Sequence, residues 1–131
     1  MDRVLDHTGM EVLSPTECDE LLASVPVGRV AFLDDGDPVI LPVNFLWRGG
    51  VIIFRTSVGS KLDAAIRHRP VAFEVDDWDS KSGWSVLVRG VAHEVLDGID
   101  ELDSLGLEPW AAERDRWVEI RPAEITGRRI V

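Results

Sequence analysis

Hydrophobic and polar residues change their spacing partway along the chain, and the change marks out its parts. Cys18, Leu21, Leu22 and Val25 recur at the interval of one helical face. Just before them, Ser14-Pro15-Thr16-Glu17 carries the signals of a helix start. Ser14 can cap the free N–H groups, Glu17 can reach back to it, and Pro15 takes the first helical position, where a missing N–H costs nothing. Pro26 and Gly28 end that helix. Beyond them the period becomes that of strands: Val27 to Leu33, Val39 to Trp47 and Val51 to Thr56, separated by Asp34-Asp35-Gly36-Asp37 and by Arg48-Gly49-Gly50. Connections this tight join antiparallel neighbours and leave no room for crossover helices. A second helix is expected over Lys61 to Arg69, with Leu62, Ala65 and Ile66 inward and Pro70 closing it. Val71 to Val75 is a fourth strand and Trp84 to Leu96 a fifth, broken by Gly90 where a barrel could bend. Residues 99 to 114 read as helical or irregular, Trp117 to Ile120 as a sixth strand and Ile125 to Val131 as a seventh.

The expected fold is therefore mainly β: a six- to seven-stranded antiparallel barrel, closed or nearly so, with two or three small flanking helices. Its 131 residues suit one domain, taken as 14–131 behind an N-terminal leader of 1–13 that is either a strand or an ordered tail. At 45% hydrophobic residues the chain can fill a core.

Charge narrows the partners. The formal net charge is −10, from 24 acidic against 14 basic residues, and such a surface repels phosphate backbones. Nucleic acid is not expected as a partner, and an anionic ligand needs a local basic cluster to overcome the global field. No apolar run approaches membrane-spanning length, and the polar start does not resemble a signal peptide. The single cysteine, Cys18, reads as a small core residue on the first helix; with no disulfide framework, the cytoplasm is the expected location.

One segment gathers anion-binding chemistry. Phe54-Arg55-Thr56-Ser57-Val58-Gly59-Ser60-Lys61 holds two cations, three hydroxyls and a glycine between a strand end and a helix start. Arg55 offers a planar fork of donors, Thr56 and Ser60 short hydroxyls, and Lys61 a mobile point charge. Gly59 allows close backbone approach, and the helix N–H groups add donors. A simpler reading stands beside it: Ser60 caps the helix with Asp63 as reciprocal partner, while Arg55 and Lys61 face solvent. The spacing is neither that of a P-loop nor that of a dinucleotide fingerprint.

Pro42-Val43-Asn44-Phe45 is a second oddity, since proline and asparagine are poor residues for a paired strand. Either one side of this strand faces a flat heteroaromatic ligand, or it is a bulged edge. Five Trp against four Phe and no Tyr is also unusual. Trp84, Trp78 and Trp110 could pack over a ring or at a subunit interface, whereas Trp47 and Trp117 read as strand packing. His7, His68 and His93 have no ligand-like spacing, so no metal is expected. No nucleophile motif is present, and Asp76-Asp77 with Asp79 reads as a solvated acidic loop.

Taken in order, several pieces resemble a known family: Leu13-Ser14-x-x-Glu17-Cys18, Val27-Gly28-Arg29-Val30-Ala31, Pro42-Val43-Asn44, Phe54-Arg55-Thr56 and Gly59-Ser60-Lys61. Val71-Ala72-Phe73-Glu74-Val75-Asp76, Gly83-Trp84-Ser85-Val86-Leu87-Val88-Arg89-Gly90 and Ile125-Thr126-Gly127-Arg128-Arg129 continue it. The chain resembles the pyridoxamine 5'-phosphate oxidase-like superfamily, in its small actinobacterial-type branch, from Leu13 onward. The resemblance implies a split β-barrel binding FMN, with F420 or FAD as alternatives, and a homodimer with cofactor sites at the subunit interface. It further implies that Arg55, Thr56, Ser57, Ser60 and Lys61 hold the phosphate. Pro42, Val43 and Asn44 would then lie along the isoalloxazine ring, with Trp84 and Ser85 nearby or contributed by the partner chain. Being much shorter than the true pyridoxamine phosphate oxidases, the chain is not expected to serve vitamin B6 synthesis. The expected activity is that of an oxidoreductase passing hydride at flavin N5 to or from a small redox substrate, with no catalytic side chain identified. The alternatives are a non-catalytic flavin-binding module for storage or sensing, and a degenerate barrel serving only protein contacts.

Overall fold

A computed structural model describes residues 4–57, 61–66, 68–106 and 115–130. Among these, seven strands form one antiparallel sheet in the order β1-β7-β4-β3-β2-β5-β6, and β6 pairs back to β7. That last pairing closes six of the strands into a barrel. The strands are β1 (Glu11–Val12), β2 (Val27–Asp34), β3 (Asp37–Arg48), β4 (Val51–Ser57), β5 (Pro70–Trp78), β6 (Gly83–Glu94) and β7 (Asp115–Ile130). Three short helices accompany them: α1 (Pro15–Leu22), α2 (Lys61–Ile66) and α3 (Ile99–Asp103). The expected fold class is the observed one.

Local chemistry accounts for much of this. Ser14 and Glu17 form both arms of the capping box, Oγ accepting from the Glu17 N–H at 3.1 Å and the Glu17 carboxylate from the Ser14 N–H at 3.2 Å. The hairpins β2–β3 and β3–β4 turn through Asp35-Gly36 and Gly49-Gly50, all four with positive φ. Two-residue turns of this kind match the twist of the flanking strands. Alternation does the rest: Ile52 and Phe54 of β4, Val30 of β2, Phe73 and Val75 of β5, Val86 and Val88 of β6 and Ile120 of β7 are fully buried inside the barrel. Phe45 meets Phe73 edge-on at 4.8 Å. Outside the wall, α3 lays Leu102 and Ile99 over Ile53 and Trp117. Leu22 and Cys18 of α1 join the main core, and burial pushes the Cys18 thiol pKa up.

Several boundaries differ from those read in the sequence. The two expected C-terminal strands are one, because Pro122 falls at a register shift opposite Arg89 and Gly90. A bulge there turns the strand without ending it. Gly90 permits the bend: a Cβ on it would run into the Arg121 carbonyl. The second helix ends at Ile66, and Pro70 opens β5 rather than closing that helix, as a residue with no N–H can do at a strand's first position. Gly28 lies inside β2, and Asp76 and Asp77 lie in β5 rather than in an acidic loop. Within the leader, β1 pairs with Arg128 and Arg129, and Asp6 accepts from Arg128 Nε at 3.0 Å. The Asp6 carboxyl is lowered to about 2, chiefly by the Thr8 hydroxyl that donates to it. Arg129 stands 3.3 Å from Glu17 and 3.6 Å from Glu11, so this C-terminal pair of arginines is tied to the leader and α1.

Candidate functional site

The barrel is paired unevenly, and the unevenness makes a site. From Asp37 to Asn44, β3 pairs with β2; from Phe45 to Arg48 it pairs with β4. Phe45 opposite Phe54 is thus the last pair between β3 and β4. Continued by one step, the register would set Asn44 against Arg55, then Val43 against Thr56 and Pro42 against Ser57. Among the described residues no such pairs form. Instead Arg55, Thr56 and Ser57 pair on their other side with Trp117, Arg116 and Asp115 of β7. The two strands therefore part at Phe45 and Phe54, and the two segments singled out in the sequence line opposite edges of one split. Pro42 suits this place, since it has no N–H to offer a neighbouring strand.

Period-two alternation divides the cationic edge. Arg55 turns outward, its guanidinium 4.8 Å above the buried Trp117 ring. The ring face attracts the cation and gives the side chain a fixed seat at the outer lip of the split. Thr56 turns inward and is buried, its hydroxyl donating to Asp63 Oδ1 at 3.4 Å. Asp63 is only 4% exposed, and Arg116 Nε lies 3.1 Å from the same oxygen. Arg116 Nη1 in turn donates to Glu94 at 2.6 Å. Asp63 thereby anchors the first turn of α2 to β4 and β7 beneath the strand end. Sequence reading missed this buried clamp, because its members lie on β4, α2, β6 and β7 and show no common spacing.

Of the remaining expected contacts, Ser57 ends β4 and Lys61 begins α2, at the mouth of the split. Ser60, with Val58 and Gly59, lies outside the described residues, as does Trp110. Val43 is buried in the core, Pro42 is exposed and Asn44 is half-buried where β3 changes partners. A cavity of about 570 Å³ lies beside that point, between the α1–β2 connection and Asn44, Leu46 and Trp47. Trp47 closes part of it, its indole N–H donating to Asp19 at 2.6 Å.

Trp84 and Ser85 stand apart. They pair with Arg129 and Arg128 near one end of β7, whereas Arg55 pairs with Trp117 near the other. That is roughly 35 Å of strand at about 3.3 Å per residue. Within one chain these residues do not share a site. Trp78 is exposed, and Trp84 packs half-buried against the core. His68 and His93, far apart in sequence, bring their rings to 5.3 Å edge-on. Among the described residues no group of three or more metal-binding side chains gathers, and no helix is long and apolar enough to cross a membrane.

The pyridoxamine 5'-phosphate oxidase family model matches residues 14–129. The chain belongs to that family. An uncharacterised Mycobacterium tuberculosis protein is 41% identical over 91% of this chain and 84% of its own length. Among solved structures, an FAD-binding protein from Mycobacterium smegmatis superimposes with a TM-score of 0.79 at 42% identity, covering 92% of this chain and 99% of that one. A Corynebacterium glutamicum protein provisionally described as a pyridoxamine 5'-phosphate oxidase gives 0.81 at 38% identity, with 93% and 98% coverage. Family membership thus rests on nearly the whole chain, the split and the Phe54–Lys61 segment included.

Proposed function

We propose that this member of the family binds a flavin nucleotide in the split between β3 and β4. One observation carries the reading: Pro42–Asn44 and Arg55–Ser57 diverge from the Phe45–Phe54 pair along a single gap. The anionic end of the cofactor takes Arg55, Ser57, Ser60 and Lys61 together with the free N–H groups at the start of α2. Thr56 acts from behind, through Asp63, which fixes where α2 begins. The flat ring lies along Pro42, Val43 and Asn44, where the strand edge is open and no proline N–H competes. In an acidic chain this places a cation-bearing strand end on the side that β3 leaves unpaired, while β7 pairs its other side.

Two copies complete each site. Trp84 and Ser85 lie too far along β7 from Arg55 to touch the same ligand, so they reach it only from a second chain. The outer face of β3, β2, β5 and β6 fits that contact. Ile40 and Leu33 project from it, 67% and 59% exposed. Hollows of about 460 and 270 Å³ flank the small Ala31 and Ala72 side chains on the same face. A twofold contact needs projection and recess on one patch, and this patch has both.

The activity assigned is that of a cytoplasmic oxidoreductase. The flavin supplies hydride chemistry at N5, while the chain binds and orients it beside a small redox substrate. FMN is the first candidate, by size and by the resemblance in the phosphate segment. FAD is the second, favoured by the FAD-binding Mycobacterium smegmatis protein at 42% identity over nearly both whole chains. F420 remains the third. Mass spectrometry of what the purified full chain releases on denaturation decides among them. Arg55→Ala and Lys61→Ala should each weaken flavin binding about ten- to a hundredfold, the range of a lost charge-assisted hydrogen bond. A colourless protein that takes up none of the three cofactors overturns the reading. Flavin that binds tightly but is reduced by neither a nicotinamide nor an F420 donor would favour a storage or sensing module.

A further inference from the structure

Arg29, Glu74 and Asp76 meet on the outer face of the barrel. Arg29 stands opposite Glu74 in the β2–β5 register, and Asp76 is two residues on, on the same side of β5. The guanidinium is divided between them: Nη1 donates to Glu74 Oε1 at 3.2 Å and Nη2 to Asp76 Oδ1 at 2.9 Å. One cation thus serves two neighbouring carboxyl groups. The cluster borders the hollow of about 270 Å³ that Ala31, Ile40 and Leu87 complete.

Few other charges face Glu74. β3 presents Pro42 opposite Arg29 and Ile40 beside it, neither of which titrates. β6 presents Leu87 opposite Glu74, Ser85 opposite Asp76, and the exposed Arg89 one pair along, opposite Ala72. Beyond Ser85, Arg128 of β7 is held by Asp6. Burial raises the Glu74 carboxyl to about 7, helped by the hydrogen bond to Asp76 and its charge, with Arg29 pulling it down. With one proton the triad is neutral. Without it, two carboxylates against one guanidinium leave a charge of −1.

We propose that this triad makes the pairing of two copies through the β3-β2-β5-β6 face proton-dependent, the singly protonated form docking and the fully ionised form loosening the contact. The inference rests on the two-copy reading given above. The sign follows from desolvation. Covering the cluster with a second copy removes more water from a carboxyl whose hold on its proton burial has already raised, so near and above neutral pH association takes up protons. The dimer dissociation constant therefore rises with pH, by up to tenfold per pH unit for each proton taken up. A twofold contact also brings a second negative cluster into the same interface, which acts in the same direction.

Sedimentation velocity on a dilution series of the full chain, at pH 6, 7 and 8, is the test. The wild-type dimer Kd should rise at least tenfold from pH 6 to pH 8. Glu74→Gln keeps the shape and a donor toward Asp76 but cannot ionise. Its Kd should stay near the wild-type pH 6 value throughout. Asp76→Asn, which removes a charge that helps burial hold the proton on Glu74, should also flatten the profile. A wild-type dimer whose Kd does not change with pH overturns the proposal alone, as does a Glu74→Gln variant that keeps the wild-type slope. A chain that stays monomeric at every pH and concentration overturns the two-copy reading, and this proposal with it.

Discussion

Two seams of the same barrel are built in opposite ways. β6 and β7 pair along the whole of Gly83 to Glu94, with one bulge, whereas β3 and β4 pair only from Phe45 to Arg48. The long seam is rich in buried β-branched residues: Val86 and Val88 face inward on β6, and Val118 and Ile120 on β7. The short seam ends where a proline, an asparagine and a cation-bearing strand end come together. Long-range pairing that closes the barrel on one side holds the other side open, because β4 finds its second partner in β7 and does not need β3 beyond Phe54. Rigidity and access are thus given to different seams. The residues proposed to bind the flavin belong to the one with fewer main-chain bonds to lose.

The largest effect should come from breaking the closed seam. Gly90 sits at the bulge, where a Cβ meets the Arg121 carbonyl, a backbone atom that cannot move aside. Gly90→Val should lower stability by about 3 kcal/mol or more. In thermal unfolding that is a fall of roughly 10 °C or beyond at this chain length, or a chain that does not fold. If Gly90→Val melts like wild type, the seam is not what holds the barrel shut.

A smaller effect, confined to the open seam, is expected at Asp63. Asp63→Ala removes the acceptor for Thr56 and one ion-pair partner of Arg116, and leaves Arg116 with Glu94. The loss of a buried, hydrogen-bonded carboxylate should cost about 2 kcal/mol. Flavin binding should weaken about tenfold as well, because the start of α2 is no longer fixed. Asp63→Asn, which keeps a hydrogen-bonding oxygen for Thr56, should recover most of the affinity. Titration of the cofactor by fluorescence, run beside thermal melts, separates the two losses. An Asp63→Ala protein that is less stable but binds flavin as wild type does would make Asp63 purely structural.

How much of this could be read in the sequence follows the same division. Signals carried by neighbouring residues were legible: the capping box at Ser14, the Asp-Gly and Gly-Gly hairpin turns, and the alternation of Ile52 and Phe54. Proline and asparagine in one strand pointed correctly to an edge without a strand partner. Relations set by distant pairing were not. The Ile125 strand merges with the Trp117 strand because a bulge opposite Gly90 absorbs Pro122, and nothing near Pro122 reveals what lies across from it. Asp76 looked solvated because its partner Arg29 lies 47 positions away. The separation of Trp84 from Arg55 became visible only when both were placed along β7. Of the candidate site, composition identified the residues and the register alone brought Pro42–Asn44 and Arg55–Ser57 to one gap.

The least effect is expected where a helix only leans on the barrel, and it tests whether the seams act independently of it. α1 starts at the Ser14 capping box, and its Glu17 also stands 3.3 Å from Arg129 on β7. Ser14→Ala removes the acceptor for the Glu17 N–H and leaves the Glu17–Arg129 contact in place. The cost should be about 1 kcal/mol, typical of a lost N-cap, and a few degrees of melting temperature. Leu22 and Cys18 keep α1 seated through the core, so flavin affinity should not change. Should affinity fall instead, α1 must be coupled to the split, and the cavity beside Asn44, which Leu22 and Ala23 help to line, is the route by which it would act.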